Sequence, residues 1–275
     1  MNGKSGRAAK FPLRLEQMDV KPGKPAPAPS RELLRPQRPL QHAADESARR
    51  NTPTGLGLDS ADVRRRMVDR LRNEGRQHES VLEAMASVPR HQFVDAALAT
   101  QAYEDTSLPI GHGQTISKPS VVARMIGLMM CGANSLAAGR MGRILEIGTG
   151  CGYQAAVLSR LSRQVFSIER VKPLHDKARE LMGPLRISNV RLVYGDGMLG
   201  HAPNAPYDGI IAAAGGEQLP PAWMEQLAVG GRLVAPVHDG ADRQVLVVVD
   251  RKEQGFERSI HEVVQFVPLK SGLVR

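Results

Sequence analysis

The spacing of apolar residues becomes regular from about residue 59 onward. Val63, Met67 and Leu71 recur at intervals of four residues, which is typical of a helix with one buried face. Asp59 and Ser60 stand where the cap of that helix is expected. The pattern predicts four helices before residue 135: from 59, over 80–88, around 93–97 and over 119–130. The folded part of the chain is therefore expected to begin with a small helical region.

From Gly142 the pattern changes to short apolar runs that alternate with helical segments. Seven runs are predicted to be strands: 143–148, 164–169, 190–196, 207–214, 230–237, 245–251 and 262–269. Strands that alternate with helices predict an α/β fold, in which a doubly wound, mostly parallel sheet carries helices on both faces. The last strands have no helices between them, so an antiparallel edge is expected. The sequence shows no internal repeat.

Charge divides the chain at the same place as the hydrophobic pattern. The whole chain carries a formal net charge of +9, and the first sixty residues hold +5 of it together with eight of the nineteen prolines. Such a segment buries too little apolar surface to offset its ordering entropy. Residues 1–58 are therefore predicted to be a disordered, basic, proline-rich extension, either solubilising or a weak tether for an acidic partner. The rest is only mildly basic and has few aromatic residues, which argues against a nucleic-acid partner.

Several classes of protein are excluded by composition. Two cysteines cannot form a disulfide framework or a four-ligand zinc site, and the eight histidines show no paired spacing that suits a metal. No apolar run is long enough to span a membrane, and the N-terminus lacks the apolar core of a secretory signal. We therefore expect a cytoplasmic monomer with no metal and no membrane partner.

A glycine-rich turn follows the first predicted strand of the sheet. Gly148, Gly150 and Gly152 let the backbone approach a ligand. The dinucleotide fingerprint requires its third glycine at position 153, which is a tyrosine. The pattern Glu-x-Gly-x-Gly-x-Gly, beginning at Glu146, instead resembles the first motif of S-adenosylmethionine-dependent methyltransferases. That resemblance implies that Glu146 holds the cationic amino-acid end of the cofactor, directly or through water, whereas the alternative is a carboxylate that caps nearby amides.

Two further acidic residues end the next strands. Glu169 lies 21 residues beyond Gly148, where a carboxylate can accept hydrogen bonds from both hydroxyls of a ribose. Asp196 and Gly197 close the third strand, where a carboxylate and a tight turn are expected to border the adenine, although Asp-Gly alone is a common turn. Together these positions predict an adenosyl site for S-adenosyl-L-methionine, with S-adenosyl-L-homocysteine as the product.

A more specific resemblance extends over most of the folded part. Seven segments occur in one order: VPRHQFV (88–94), LPIGHGQTISKP (108–119), ILEIGTGCGYQ (144–154), GDG (195–197), PYDGII (206–211), GGRLVAPV (230–237) and FVPL (266–269). This set resembles the protein-L-isoaspartate O-methyltransferases over roughly residues 62–270. The resemblance implies a Rossmann-like methyltransferase fold over 59–275, with a helical and substrate-loop region at 59–135 and a cofactor-binding sheet at 142–270. It also implies methylation of the α-carboxylate of L-isoaspartyl residues, and possible extension to D-aspartyl residues, in damaged proteins and peptides.

The stretch LPIGHGQTIS at 108–117 is interpreted as a glycine-rich loop. By the resemblance, Ser117 matches the active-site serine of the family, and Gln114, Thr115 and Ile116 form the loop beside the cofactor. The alternative for Ser117 is helix capping before the helix that begins with proline. His112 is expected to hydrogen-bond backbone rather than to act as a base, and Cys151 is expected to be a packed side chain.

Two departures from the family pattern limit the transfer of residues. Gly215 and Gly216 are expected to loosen the loop after the fourth strand, and the short ending KSGLVR puts substrate contacts near the C-terminus in doubt. Two other functions stay open: a methyltransferase that acts on a small molecule or RNA, and a cofactor-binding protein that has lost catalysis. The intact GQTIS segment favours a peptide carboxylate over a base-stacking platform.

Overall fold

The computed structural model describes residues 61–240 and 243–275, so the predicted extension over 1–58 and the cap at Asp59-Ser60 lie outside the described residues. The helices are α1 (Ala61–Asn73), α2 (Glu79–Ser87), α3 (Pro119–Met130), α4 (Ala133–Ala138), α5 (Tyr153–Leu161), α6 (Lys172–Met182) and α7 (Pro221–Gln226). The strands are β1 (Leu108–Gly111), β2 (Gln114–Ile116), β3 (Met141–Ile147), β4 (Ser162–Glu169), β5 (Val190–Tyr194), β6 (Tyr207–Ala212), β7 (Leu227–His238), β8 (Gln244–Arg251) and β9 (Phe256–Val264).

Seven of the strands form one sheet with the order β5-β4-β3-β6-β7-β8-β9. The first five strands in this order are parallel, and β8 and β9 are antiparallel additions at one edge. The predicted doubly wound, mostly parallel sheet with an antiparallel edge is confirmed. The chain proceeds from β3 towards β5 on one side and from β6 towards β9 on the other. The carboxyl ends of β3 and β6 therefore flank the point where a ligand is expected to bind.

Alternate residues along the central strands are buried on opposite faces of the sheet. Ile144 and Val165 pack in the core that contains the helices α1, α2 and α3. Leu145 and Phe166 pack in a second core around Trp223. Since every position of a doubly covered strand faces apolar neighbours, the strands read as nearly continuous apolar runs. The helical region before β3 shares the first core with the sheet.

The segment interpreted as a loop at 108–117 is a β-hairpin, which corrects the sequence prediction. β1 and β2 are antiparallel, with Leu108 opposite Ile116. His112 and Gly113 form its turn at φ of 54° and 67°, the left-handed values that a tight two-residue hairpin turn requires. Leu108, Ile110 and Ile116 are buried while Pro109 and Thr115 are exposed, so the strand alternation was present in the sequence but masked by the glycines.

The last strand lies earlier in the chain than predicted. β9 ends at Val264, whereas the prediction placed a strand over 262–269. β9 is an exposed edge strand, so it lacks the buried apolar pattern by which a strand is recognised. The apolar residues 266–269 leave the sheet edge and run beside the loop after β6, where Gly215 donates to the carbonyl of Val267 at 2.9 Å. The predicted strand was therefore wrong from residue 265 onward.

Shorter differences concern the helices. The helix predicted around 93–97 is a pair of 3-10 helices, Arg90–Phe93 and Ala96–Gln101. Helix α4 has only six residues and was not predicted. Among residues 61–240 and 243–275, no helix combines the length and apolar character needed to cross a membrane.

Candidate active site

A cavity of about 330 Å³ opens at the carboxyl ends of β3, β4 and β6. This volume lies within the range of small-molecule sites. The lining includes eight of the eleven residues predicted from the sequence: Gln114, Thr115, Ile116, Ser117, Gly148, Gly150, Glu169 and Gly197. The structure therefore brings the glycine turn, the end of β4 and the GQTIS segment to one cavity. The other three, Glu146, Gly152 and Asp196, lie outside its lining.

The glycine turn has the left-handed backbone that its residues permit. Gly148, Gly150 and Gly152 have φ values of 90°, 55° and 92°, where a residue with a Cβ is strained. A Cβ on Gly150 would lie 3.1 Å from Ile110 of the hairpin, and one on Gly152 would lie 2.8 Å from the sulfur of Met182. Glycine at these positions thus allows the hairpin and helix α6 to pack closely against the turn.

Glu169 ties the glycine turn to the end of β4. One carboxylate oxygen accepts from the amide of Gly150 at 2.9 Å, and the other accepts from the amide of Val171 at 3.0 Å. A carboxylate has about four acceptor positions, so about two remain. Glu169 lines the cavity, so these acceptors are available to a pair of vicinal hydroxyls there.

Glu146 is fully buried behind the glycine turn. Its Oε2 accepts a hydrogen bond from the hydroxyl of Ser167 on the neighbouring strand, and Ser167 is 2.6 Å from the hydroxyl of Thr149 in the turn. Burial raises the pKa of Glu146 to about 8, against the opposing effects of Ser167 and Gln154. The carboxyl group of Glu146 is therefore connected to the cavity wall through the hydroxyls of Ser167 and Thr149.

Two polar atoms beside this cluster lack hydrogen-bond partners within the described part of the chain. They are Oε1 of Glu146 and Nε2 of Gln154. Gln154 lines the cavity. Buried polar atoms are almost always hydrogen-bonded, so unpaired atoms next to a cavity favour a polar ligand or an ordered water there.

Asp196 holds the C-terminal segment instead of facing the cavity. Its Oδ1 accepts from the amide of Met198, and its Oδ2 accepts from the hydroxyl of Ser271 at 2.8 Å and the amide of Gly272 at 2.6 Å. These contacts lower the pKa of Asp196 despite its partial burial, which acts in the other direction. The carboxylate predicted to border the adenine thus has its oxygens engaged by the protein.

The C-terminal segment forms one wall of the cavity. Residues 267–270 and Val274 belong to the lining. Val274 donates to the carbonyl of Arg170 at 2.9 Å, and its carbonyl accepts from the amide of Lys172 at 2.8 Å. The short ending KSGLVR had put substrate contacts near the C-terminus in doubt, whereas the structure places this segment in the cavity wall. We call residues 271–274 the C-terminal strap.

The loop after β6 is held more tightly than its two glycines suggested. A Cβ on Gly215 would lie 2.6 Å from Nε2 of Gln244. The amide and carbonyl of Gly215 both pair with the segment 267–269. The predicted loosening was wrong because the backbone of Gly215 is paired on both sides with this segment.

Ser117 lies at the junction between β2 and α3 and lines the same cavity as Glu169 and the glycine turn. Within residues 61–240 and 243–275 its hydroxyl has no hydrogen-bond partner. The cap of α3 is instead Asp105, which accepts from the amide of Ser120 at 2.8 Å and from its hydroxyl at 2.7 Å. The hydroxyl of Ser117 is therefore not engaged as a helix cap and is available to a ligand in the cavity that it lines.

Two residues that line the cavity, Cys151 and His112, carry groups that can act as a nucleophile or a base. Cys151 is buried, and burial raises the pKa of its thiol, which disfavours the reactive thiolate. His112 lines the cavity from the turn of the hairpin, and its own carbonyl accepts from the Gln114 side chain at 3.4 Å. Among the described residues, no group of three His, Cys, Asp or Glu side chains is arranged to hold a metal ion.

Comparisons with known proteins show the family to which the chain belongs. The sequence model of the protein-L-isoaspartate(D-aspartate) O-methyltransferase family matches residues 62–273. A protein-L-isoaspartate O-methyltransferase from Methylibium petroleiphilum is 65% identical over 268 residues, which cover 96% of this chain and 97% of that protein. One from Leptothrix cholodnii is 62% identical over 240 residues, 86% of this chain and 84% of that protein.

A solved structure gives the same result at the level of the fold. The protein-L-isoaspartate O-methyltransferase of Plasmodium falciparum, in complex with S-adenosyl-L-homocysteine, aligns with a TM-score of 0.65 at 25% identity. The alignment covers 75% of this chain and 98% of that one. The similarity in fold therefore extends over three quarters of this chain.

Proposed function

Because the chain belongs to the protein-L-isoaspartate(D-aspartate) O-methyltransferase family, we propose that it transfers a methyl group from S-adenosyl-L-methionine to the α-carboxylate of L-isoaspartyl residues in damaged proteins and peptides. One observation carries the proposal: a single cavity is lined by Glu169, by glycines of the turn and by Ser117, whose hydroxyl has no hydrogen-bond partner among the described residues. An adenosyl cofactor and a carboxylate can therefore meet within it.

The residues present fit S-adenosyl-L-methionine, which supplies an electrophilic methyl carbon when bound. Glu169 retains acceptors for the two ribose hydroxyls, and Gly148 and Gly150 allow close approach of the backbone. Gly197 lines the part of the cavity proposed for the adenine. Glu146 contributes from behind the turn, through Ser167 and Thr149. Gln114, Thr115 and Ile116 complete the wall next to the substrate side.

The chain needs no strong base for this reaction. The α-carboxylate of an isoaspartyl residue is already ionised at neutral pH, so the site has to align it with the methyl carbon rather than deprotonate it. The hydroxyl of Ser117 can donate a hydrogen bond to one carboxylate oxygen while the other attacks. The product is a methyl ester, which can cyclise to a succinimide outside the enzyme and hydrolyse in part to normal aspartate.

The test is methyl transfer from labelled S-adenosyl-L-methionine to three forms of one peptide, with L-isoaspartyl, L-aspartyl or D-aspartyl at the same position. We expect methylation of the L-isoaspartyl form and no more than trace labelling of the L-aspartyl form. Labelling of the D-aspartyl form decides whether the activity extends to that residue. Equal labelling of the isoaspartyl and aspartyl forms would contradict the proposal and favour a methyltransferase of another specificity.

The remaining expectations are also proposals. We place the enzyme in the cytoplasm as a monomer that acts on proteins and peptides and not on nucleic acid. The two cysteines support a reducing compartment, because both are free thiols, Cys131 exposed and Cys151 buried. Sedimentation of the purified full chain tests the oligomeric state.

A further inference from the structure

Arg90 is a charged residue buried in a place where packing alone would favour an apolar one. It lies in the 3-10 helix Arg90–Phe93, beneath the hairpin, and its exposed fraction is 0%. Taking a guanidinium out of water is costly, and replacing a buried ion by an apolar residue of similar volume is often neutral or stabilising. A buried arginine thus calls for an explanation in terms of what it contacts.

The guanidinium of Arg90 binds two backbone carbonyls from different segments. Nε donates to the carbonyl of Ala102 at 2.7 Å, and Nη2 donates to the carbonyl of Ser117 at 2.8 Å. Two carbonyls thus occupy the face of the side chain that commonly binds a carboxylate. Arg90 therefore fixes the backbone of Ser117, whose hydroxyl is proposed to bind the substrate carboxylate.

In the part of the chain that the structure describes, Arg90 forms no ion pair, although Asp105 is near enough to oppose the lowering of its pKa. Within the described residues no carboxylate lies within ion-pair distance of it, and Nη1 has no hydrogen-bond partner. The guanidinium lies 4.8 Å from the centre of the Tyr153 ring, and Tyr153 lines the cavity. Burial lowers the pKa of Arg90, an effect that the neighbouring Tyr153 opposes. Arg90 thus connects the serine segment to the cavity wall.

The other end of the serine segment is also fixed from outside. Asp105 accepts from both the amide and the hydroxyl of Ser120. Residues 117–120 are therefore held between Arg90 on the Ser117 carbonyl and Asp105 on the start of α3. A hydroxyl with no partner of its own depends on such backbone contacts for its direction.

We propose that Arg90 is a positioning residue for methyl transfer, which fixes the Ser117 carbonyl so that the Ser117 hydroxyl is aimed at the substrate carboxylate. This inference rests on the proposed function. Displacing an aligned group by about 1 Å can cost about 100-fold in rate. Loss of Arg90 should therefore reduce turnover more than cofactor affinity, because its hydrogen bonds to the backbone go to Ala102 and Ser117 and none goes to Glu169 or to the glycines of the turn.

The experiment compares Arg90→Met and Arg90→Lys in the full chain with Arg232→Met as the matched control. Arg232 also lies largely buried and also binds a backbone carbonyl of α3, that of Leu128 at 2.9 Å, but at the far end of the helix. We expect Arg90→Met to lower kcat on the isoaspartyl peptide about 10- to 100-fold, by no more than Ser117→Ala does, with the Kd for S-adenosyl-L-homocysteine within about threefold of wild type. Arg90→Lys has one donor group in place of the fork, so its kcat should lie between those of wild type and Arg90→Met. Arg232→Met should keep its kcat.

A second readout does not depend on activity. Hydrogen–deuterium exchange of the unliganded protein should be faster over residues 114–120 in Arg90→Lys and unchanged there in Arg232→Met. The inference is overturned if the Arg90 variants retain wild-type kcat and exchange, or if kcat and cofactor affinity fall together. If Arg90→Met does not fold, Arg90→Lys decides the question by the same criteria. Failure of the proposed function looks different, because the wild-type protein would then not methylate the isoaspartyl peptide while the exchange result would still hold.

Discussion

The buried carboxyl group of Glu146 predicts an unusual dependence of stability on pH. Its ordinary pKa is 4.5, and burial raises it to about 8 in the folded protein. Between these values the folded protein holds a proton that the unfolded chain has released. The contribution of Glu146 to stability is therefore fully present at low pH and is lost as the pH rises towards 8, by about 1.4 kcal/mol per pH unit.

The perturbation that isolates this contribution is Glu146→Gln, which keeps the shape and an oxygen acceptor for Ser167 but cannot ionise. Between about pH 5 and pH 7 the wild-type protein should lose about 2.5 kcal/mol that the variant does not lose. The free energy of unfolding of the variant minus that of the wild type should rise by that amount. Glu180→Gln serves as the control, because Glu180 lies exposed on α6.

Urea unfolding followed by tryptophan fluorescence provides the assay. Trp223 is the only tryptophan of the chain and is 1% exposed, so its emission reports loss of the core around it. The difference between Glu146→Gln and wild type is measured at several pH values, and the slopes with denaturant must agree before free energies are compared. If the unfolding free energies of Glu146→Gln and wild type change in parallel with pH, the burial argument is refuted. If the difference in unfolding free energy between Glu180→Gln and wild type rises with pH by the same amount, surface charge rather than burial explains the effect.

Two further predictions follow from the C-terminal strap and from the thiols. Asp196→Asn should weaken S-adenosyl-L-homocysteine binding by about 3- to 10-fold in calorimetry, because a weaker acceptor at Ser271 and Gly272 loosens the strap, whose Val274 lines the cavity. Unchanged affinity would show that the strap contributes nothing to cofactor binding. In the native protein, alkylation followed by mass spectrometry should label the exposed Cys131 well before the buried Cys151, whereas both should react in denaturant. Equal native rates would contradict the burial of Cys151.

The parts of the site that depend on backbone geometry could be predicted from the sequence. Three glycines spaced after a strand predicted a turn whose backbone approaches a ligand; all three have positive φ, and Gly148 and Gly150 line the cavity. Glu169 was placed correctly at the cavity because parallel strands end at the same edge of a sheet. Strand periodicity and helix alternation likewise predicted the sheet and its antiparallel edge.

The parts that depend on tertiary contacts could not be predicted in the same way. The burial of Glu146 behind the turn depends on which side chains cover it, and no spacing rule reports that. Asp196 accepts hydrogen bonds from Ser271 and Gly272, which lie about 75 residues away in an exposed segment without a hydrophobic pattern. Arg90 belongs to the segment VPRHQFV at 88–94, but its role depends on the carbonyls of Ala102 and Ser117, which are distant in the chain. Its role follows from the burial of a charged side chain, which the sequence pattern does not report.

The central claim is that one cavity has a cofactor side at Glu169 and a substrate side at Ser117. The most direct test measures S-adenosyl-L-homocysteine affinity and isoaspartyl-peptide turnover at saturating cofactor for Glu169→Gln and Ser117→Ala side by side. Glu169→Gln should weaken cofactor binding by about 10- to 100-fold, the usual value of hydrogen bonds to a charged group. Ser117→Ala should leave that affinity within about threefold and lower turnover by about 10-fold or more. If Ser117→Ala instead keeps wild-type turnover, or if both variants lose affinity and turnover in equal measure, the two-sided cavity is contradicted.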